Sequence, residues 1–342
     1  MNVPIRDWIE LMRREYLADF IPSGGSAVKI AMAPEKYLPE VREQVANAAR
    51  SMHYLVTRVD AAQTKVHMID WIFHAAARQV EWDGLVDRWL RLRMRENGIL
   101  VDDDQPLHDM DAIALANGQL RPQLLGEINR LITNGIVKDP GLARDFRTAL
   151  AMLCLGRVNP QNVLPTDAEV VKQWLLGERC NLTTLKRLGI YQKVGRHNAR
   201  FLLASLSAWL PGVGIPGLVL LLDISPVVAQ LPSQSNIIRY TRPGVLDTFE
   251  VLRQFIDDTD ETTHFLLVVT AGPDLADVHN PRRNIDNYTA LRMRVVDDVH
   301  DRSRANPLNI LVHLDTAEHQ AGSQTGPAES EEDGDEDRGA TA

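Results

Sequence analysis

The chain has 342 residues, 44% hydrophobic and 24% charged, which is the balance of a folded globular protein with room for one large core or two modest ones. Its net charge of −9 is uneven: residues 321–342 hold seven acids and one arginine, so the tail carries −6 and the body only −3. A nearly neutral body argues against a large, sequence-independent DNA-binding surface and leaves room for a local basic patch. The two cysteines, Cys154 and Cys180, belong to no CxxC pair and no His/Cys cluster of zinc spacing, so they read as two buried reduced thiols. No apolar run approaches the ~20 residues that span a bilayer. The amphipathic first fourteen residues include acids and do not read as a secretory signal. These features point to the bacterial-type cytoplasm or an equivalent reducing compartment.

In chain order, Ile5, Trp8, Ile9, Met12, Tyr16, Leu17 and Phe20 recur at helical spacing, predicting a helix over 5–20 that ends at Pro22 and Gly24-Gly25. A buried strand follows at 28–33, then a helix at 40–50 and a second strand at 54–59. From 65 to 210 the patterns are helical, with segments at 66–82, 84–96, 121–134, 143–155, 166–176 and 198–210. Continuous apolar strands return at 217–223, 265–270 and 309–314, separated by helices at 241–258 and 287–299. Apolar strands alternating with helices imply a parallel sheet covered on both faces. The expected fold is therefore α/β, with five parallel strands and a large all-helical insertion between strands two and three. The expected organisation is a first part of the core over 1–64, the insertion over 65–210, a second part of the core over 211–319 and a disordered acidic tail over 320–342.

The strand framework looks like that of a nucleotide-binding motor, yet the first strand is not followed by a phosphate-binding loop. That loop cradles phosphates with backbone N–H groups and a lysine. Here the next residues are Pro34-Glu35-Lys36-Tyr37-Leu38-Pro39, which remove N–H donors and add a negative charge. Gly24 and Gly25 precede the strand, at the wrong end for phosphate. The run Leu218 to Asp223 has the form of a Walker B strand, whose terminal acid helps hold Mg²⁺; the alternative is an acid that caps the turn after a buried strand. Thr270 ends the fourth strand, as a γ-phosphate sensor or as a turn residue. Arg282, Arg283, Arg292, Arg294, Arg302 and Arg304 cluster late among Asp286, Asp297, Asp298 and Asp301, either as fingers toward phosphate or as a salt-bridged surface. Lys186, Arg187, Lys193, Arg196 and Arg200 form a basic stretch after Trp174–Arg179, in the manner of a helix-turn-helix reader contacting DNA. His67 and His74 stand too far apart for a local metal pair, and no GxSxG elbow occurs.

Four stretches, taken in order, resemble the ATP-binding proteins of BREX phage-resistance systems, the BrxC/BrxD-type AAA+-like family. They are Arg14-Glu15-Tyr16-Leu17 through Gly24-Gly25 and Val28-Lys29-Ile30; Trp174 to Glu178 with Leu185 to Ile190; Asn198-Ala199-Arg200 to Leu206, leading to the Leu218–Asp223 strand; and Tyr288 with Ala290-Leu291-Arg292 and Arg294. The resemblance implies a P-loop type of sheet, ATP and Mg²⁺ as the family's ligands, and other defence-system proteins as partners. Its pattern places a Gly-Ser-Gly-Lys-Thr/Ser loop after the first strand and Asp-Glu after the third, where this chain has Pro34-Glu35 and Asp223-Ile224. Asp223 carries over as a degenerate metal-binding acid, Arg294 as an arginine sensor, and Thr270 completes the candidate nucleotide set. No catalytic residue and no cofactor is assigned. The expected role is a non-hydrolysing scaffold or regulatory subunit; the alternatives are an ATPase with an atypical phosphate site, and a DNA-binding regulator using the basic stretch.

Overall fold

The computed structural model describes residues 2–159, 165–229, 237–280, 282–296 and 306–315. The acidic tail and Asp297, Asp298, Asp301, Arg302 and Arg304 lie outside the described residues.

Strands β1 (Val3–Pro4), β2 (Ser26–Met32), β3 (Leu55–Asp60), β4 (Leu218–Asp223), β5 (Phe265–Ala271) and β6 (Leu311–Asp315) form one sheet in the order β1-β6-β2-β5-β4-β3. Every pairing is parallel. The sheet thus has six strands, not five. The additional strand is two residues long and pairs Val3 with Leu314 and Pro4 with Asp315. Two residues cannot display a period of two, and Pro4, lacking an N–H, is suited to an edge.

All seven residues of both β2 and β5 are buried, as continuous apolar runs between two helical layers should be. Alternate residues serve opposite faces. Val28, Ile30, Leu218, Leu220, Leu222, Leu267 and Val269 join one apolar cluster; Ala27, Ala31, Val219, Leu221, Leu266 and Val268 join the other. The second face is covered by α1 (Ile5–Leu11), the π-helical segment Met12–Phe20 and α2 (Leu38–Ser51). The predicted first helix is therefore real but changes its winding at Met12. Trp8, Met12 and Leu17 are buried, whereas Phe20, expected on the same stripe, is 47% exposed.

The first face packs against the helices that separate β3 from β4. These are α3 (Ile69–Ala77), α4 (Trp82–Glu96), α5 (Met110–Ala116), α6 (Arg121–Ile132), α7 (Arg144–Val158), α8 (Pro165–Leu176), α9 (Leu182–Arg187) and α10 (Ala199–Trp209). Trp89, Phe146, Leu150 and Leu206 of this block share one continuous cluster with the sheet residues. α11 (Ser225–Val228), α12 (Arg242–Asp257) and α13 (Thr289–Val296) complete the chain's helices among the described residues. Among those residues no helix is long and apolar enough to cross a membrane. Cys154 is buried, and burial pushes its thiol up; Cys180 is only half-buried, which corrects the expectation of two buried thiols.

Candidate functional site: the carboxyl edge of the sheet

Because the strands are parallel, all their carboxyl ends lie along one edge. In open α/β sheets, ligands bind outside that edge, where the chain's connections diverge to either side. Here β2 is the central strand, flanked by β5 and β6 from much later in the chain. The register sets Asp60, Asp223, Thr270 and Ala31 in one row across β3, β4, β5 and β2. Asp223 and Thr270 are thereby brought together.

What joins them is Arg42, which the sequence alone did not single out. It stands on α2, whose Val41 and Val45 are buried against the sheet, so the helix is held with Arg42 at the strand ends. Its Nη1 lies 2.8 Å from Asp223 Oδ2 and donates to Thr270 Oγ1 at 3.3 Å. The side chains are 23% and 14% exposed for Arg42 and Asp223, and Thr270 is fully buried. The other carboxylate oxygen, Asp223 Oδ1, accepts from the backbone N–H and the hydroxyl of Ser225, at 2.9 and 2.7 Å. Both oxygens are engaged within the protein. Asp223 combines a charge-assisted bridge with the turn-capping role that such acids perform at strand ends.

The approach from β2 to α2 has its own chemistry. Ala33 N–H, the first amide after the strand, donates to the Ala271 carbonyl at 3.2 Å and so extends the sheet. Pro34 follows, then a 3₁₀ turn over Glu35–Tyr37, then the start of α2 with Pro39 in its first turn. The amino end of a helix attracts anions through its exposed N–H groups and dipole. Here exposed Glu35 and Glu40 stand beside that end. The Glu35 side chain lies over Gly272, where a Cβ would meet its Cγ at 3.4 Å. A Mg·ATP group set does not fit these residues. The carboxylates repel phosphate, the prolines subtract donors, and the acid available for Mg²⁺ is held by Arg42 and Ser225.

Arg294 is not part of this edge. Its guanidinium grips Asp257 at the end of α12, with Nε 2.8 Å from Oδ1 and Nη2 3.3 Å from Oδ2. Since α12 leads into the start of β5, this contact lies toward the opposite, amino edge of the sheet. Arg253 links the same Asp257 to Glu250, and the Tyr288 hydroxyl donates to Glu250. Among the late arginines with described partners, Arg294 thus joins α13 to α12, Arg292 pairs with Asp286, and Arg283 donates to the carbonyls of Val227 and Tyr240.

The basic stretch lies on α9, on α10 and on the turns between them. Lys186, Arg187, Lys193 and Arg196 are exposed. Arg187 pairs with Asp167 at 2.5 Å and Arg200 with Asp258 at 2.7 Å. His74 is sequestered: its Nδ1 faces the Leu175 carbonyl at 3.0 Å, and burial pushes its imidazole pKa down. Among the described residues no cluster of three or more His, Cys, Asp or Glu has the geometry to hold a metal ion.

Fold and edge together define a parallel α/β protein whose strand-end acid is engaged by its own side chains. Residues 116–323 match the family described as BREX system ATP-binding protein BrxC/D. That match spans more than half of the chain, and the chain belongs to this family. It includes three of the four stretches on which the resemblance rested; the first, with Arg14 to Ile30, precedes it. No curated protein and no solved structure matches the chain.

Proposed function

We propose that this chain is a non-hydrolysing member of the family, acting as a scaffold or regulatory subunit in a BREX-type phage-defence assembly in the cytoplasm. In this reading the sheet is a P-loop, AAA+-like framework without its phosphate loop. The observation that carries it is the Arg42 guanidinium, bonded to both Asp223 and Thr270. Phosphoryl transfer depends almost wholly on positioning and on electrostatic stabilisation of charge spread over the phosphate oxygens. An edge whose acid is neutralised by a tethered cation, and whose helix start carries Glu35 and Glu40, supplies neither. Asp223 and Thr270 are then structural remnants, and Arg294 is a strut between α12 and α13. The partners are other proteins of the defence system, and duplex DNA is reached through them.

The test is phosphate release by purified protein with ATP and Mg²⁺, alone and with proteins encoded beside it. The proposal expects no release by this chain alone and none that depends on Asp223. Hydrolysis that Asp223→Ala abolishes would establish an atypical active site instead.

A further inference from the structure

A second surface feature lies away from the sheet edge. Tyr191 and Phe201 are large aromatic residues left 59% and 49% exposed. They line one open cavity of about 310 Å³ together with Arg144, Gln192 and Asn198. Each ring carries a guanidinium: Arg144 stands 5.6 Å from the Tyr191 centroid and Arg200 5.1 Å from that of Phe201. Cation–π pairs of this kind hold aromatic rings in place at a surface. Around them the chain is markedly basic: between Glu178 and Asp223 there is no acid, while Arg179, Lys186, Arg187, Lys193, Arg196 and Arg200 all fall there. Lys186, Lys193 and Arg196 are exposed and make no ion pair among the described residues.

From this we propose that the Tyr191–Phe201 cavity is a stacking platform for single-stranded nucleic acid, with Lys193 and Arg196 holding its phosphates. This goes beyond the scaffold reading and does not rest on it. Aromatic faces that bases stack upon, set in a basic groove, are the features shared by proteins that bind single strands with little sequence preference. A duplex keeps its base faces covered by their neighbours, so rings in a shallow cavity favour an unpaired strand. Asp145, on the cavity wall, opposes phosphate there but accepts readily from a base N–H, the thymine imino group included. The phosphates are therefore assigned to the Lys193–Arg196 turn and the bases to the cavity.

Fluorescence anisotropy of the full chain with a labelled 20-nucleotide oligo(dT) at 50 mM salt tests this. A 20-base-pair duplex and a peptide of the sequence 321–342 serve as the other probes. Binding of the single strand in preference to both is expected. Tyr191→Ala with Phe201→Ala should weaken it by about tenfold or more, the loss of one or two stacked bases, with the salt slope unchanged. Lys193→Ala with Arg196→Ala should lower the slope of log K against log salt by about 1.4, at roughly 0.7 per phosphate. All four side chains are exposed, so the variants should melt with the wild type, and each is checked for this. Absence of oligo(dT) binding overturns the proposal. So does duplex binding of equal strength that ignores both aromatic substitutions. Preferential binding of the acidic peptide would overturn it in favour of a protein-docking surface.

Discussion

The Arg42–Asp223 bridge makes a quantitative demand. Removing one partner of a fully buried ion pair costs about 3–5 kcal/mol, because the other charge is left uncompensated; an exposed pair is worth about 1 kcal/mol at most. With side chains 23% and 14% exposed, this pair falls between those limits. Asp223 retains two hydrogen bonds from Ser225 when Arg42 is removed, which lowers the cost. Arg42→Ala should therefore destabilise the fold by about 2 kcal/mol, and Tm should fall by about 4 °C if each kcal/mol moves a large domain by about 2 °C. In an Asp223→Asn background the same substitution should cost about 0.5–1 kcal/mol, because the carboxylate charge is already gone. The assay is thermal unfolding of the four proteins of the cycle, followed by circular dichroism. A change below 1 °C for Arg42→Ala, or strict additivity across the cycle, would refute the claim that this arginine neutralises the strand-end acid.

The α12–α13 junction gives a pH dependence. Arg253 first, then the Tyr288 and Gln254 hydrogen bonds, bring the Glu250 carboxyl down to about 2 from its ordinary 4.5. A depressed carboxylate stabilises the fold above its unfolded value and loses that contribution as pH falls through the folded one. The Tm of the wild type should thus drop more steeply between pH 4.5 and 2 than that of Glu250→Gln; parallel curves would contradict the role given to Glu250. Gly177 sits at φ +72°, and a Cβ there would come within 2.5 Å of the half-buried His74 ring. Gly177→Ala combines backbone strain with a clash and should cost at least about 2 kcal/mol in chemical denaturation. A neutral result would mean that the α3–α8 contact is looser than described.

Much of the fold was legible in the sequence for a specific reason. Strands buried on both faces need uninterrupted apolar runs, and 218–223 and 265–270 are such runs, so β4 and β5 were found nearly residue for residue. The long stretch without strand patterns gave the helical block. What escaped depends on partners far away in the chain. β1 is too short to show a period and exists only through its pairing with β6, more than 300 residues later. α5 was missed between proline- and aspartate-rich turns. The π-helical winding after Met12 leaves the apolar spacing almost unchanged, so the pattern over 5–20 read as one helix. Asp223 was found because strand-end acids are conspicuous. Arg42 was not, because an arginine in the second turn of an ordinary amphipathic helix carries no local mark; its role appears only when α2 is docked and the register brings Asp223 and Thr270 side by side. Arg294 shows the converse: a residue carried over from a motif, which the packing of α13 directs to Asp257 at the other end of the sheet.

The most direct test of the engaged strand-end acid is isothermal titration of the purified protein with Mg·ATP, in wild type and in Asp223→Ala. The account predicts no saturable heat in either protein. Micromolar binding by the wild type that disappears in Asp223→Ala would contradict it, and would mean that Arg42 yields its place to the nucleotide's metal.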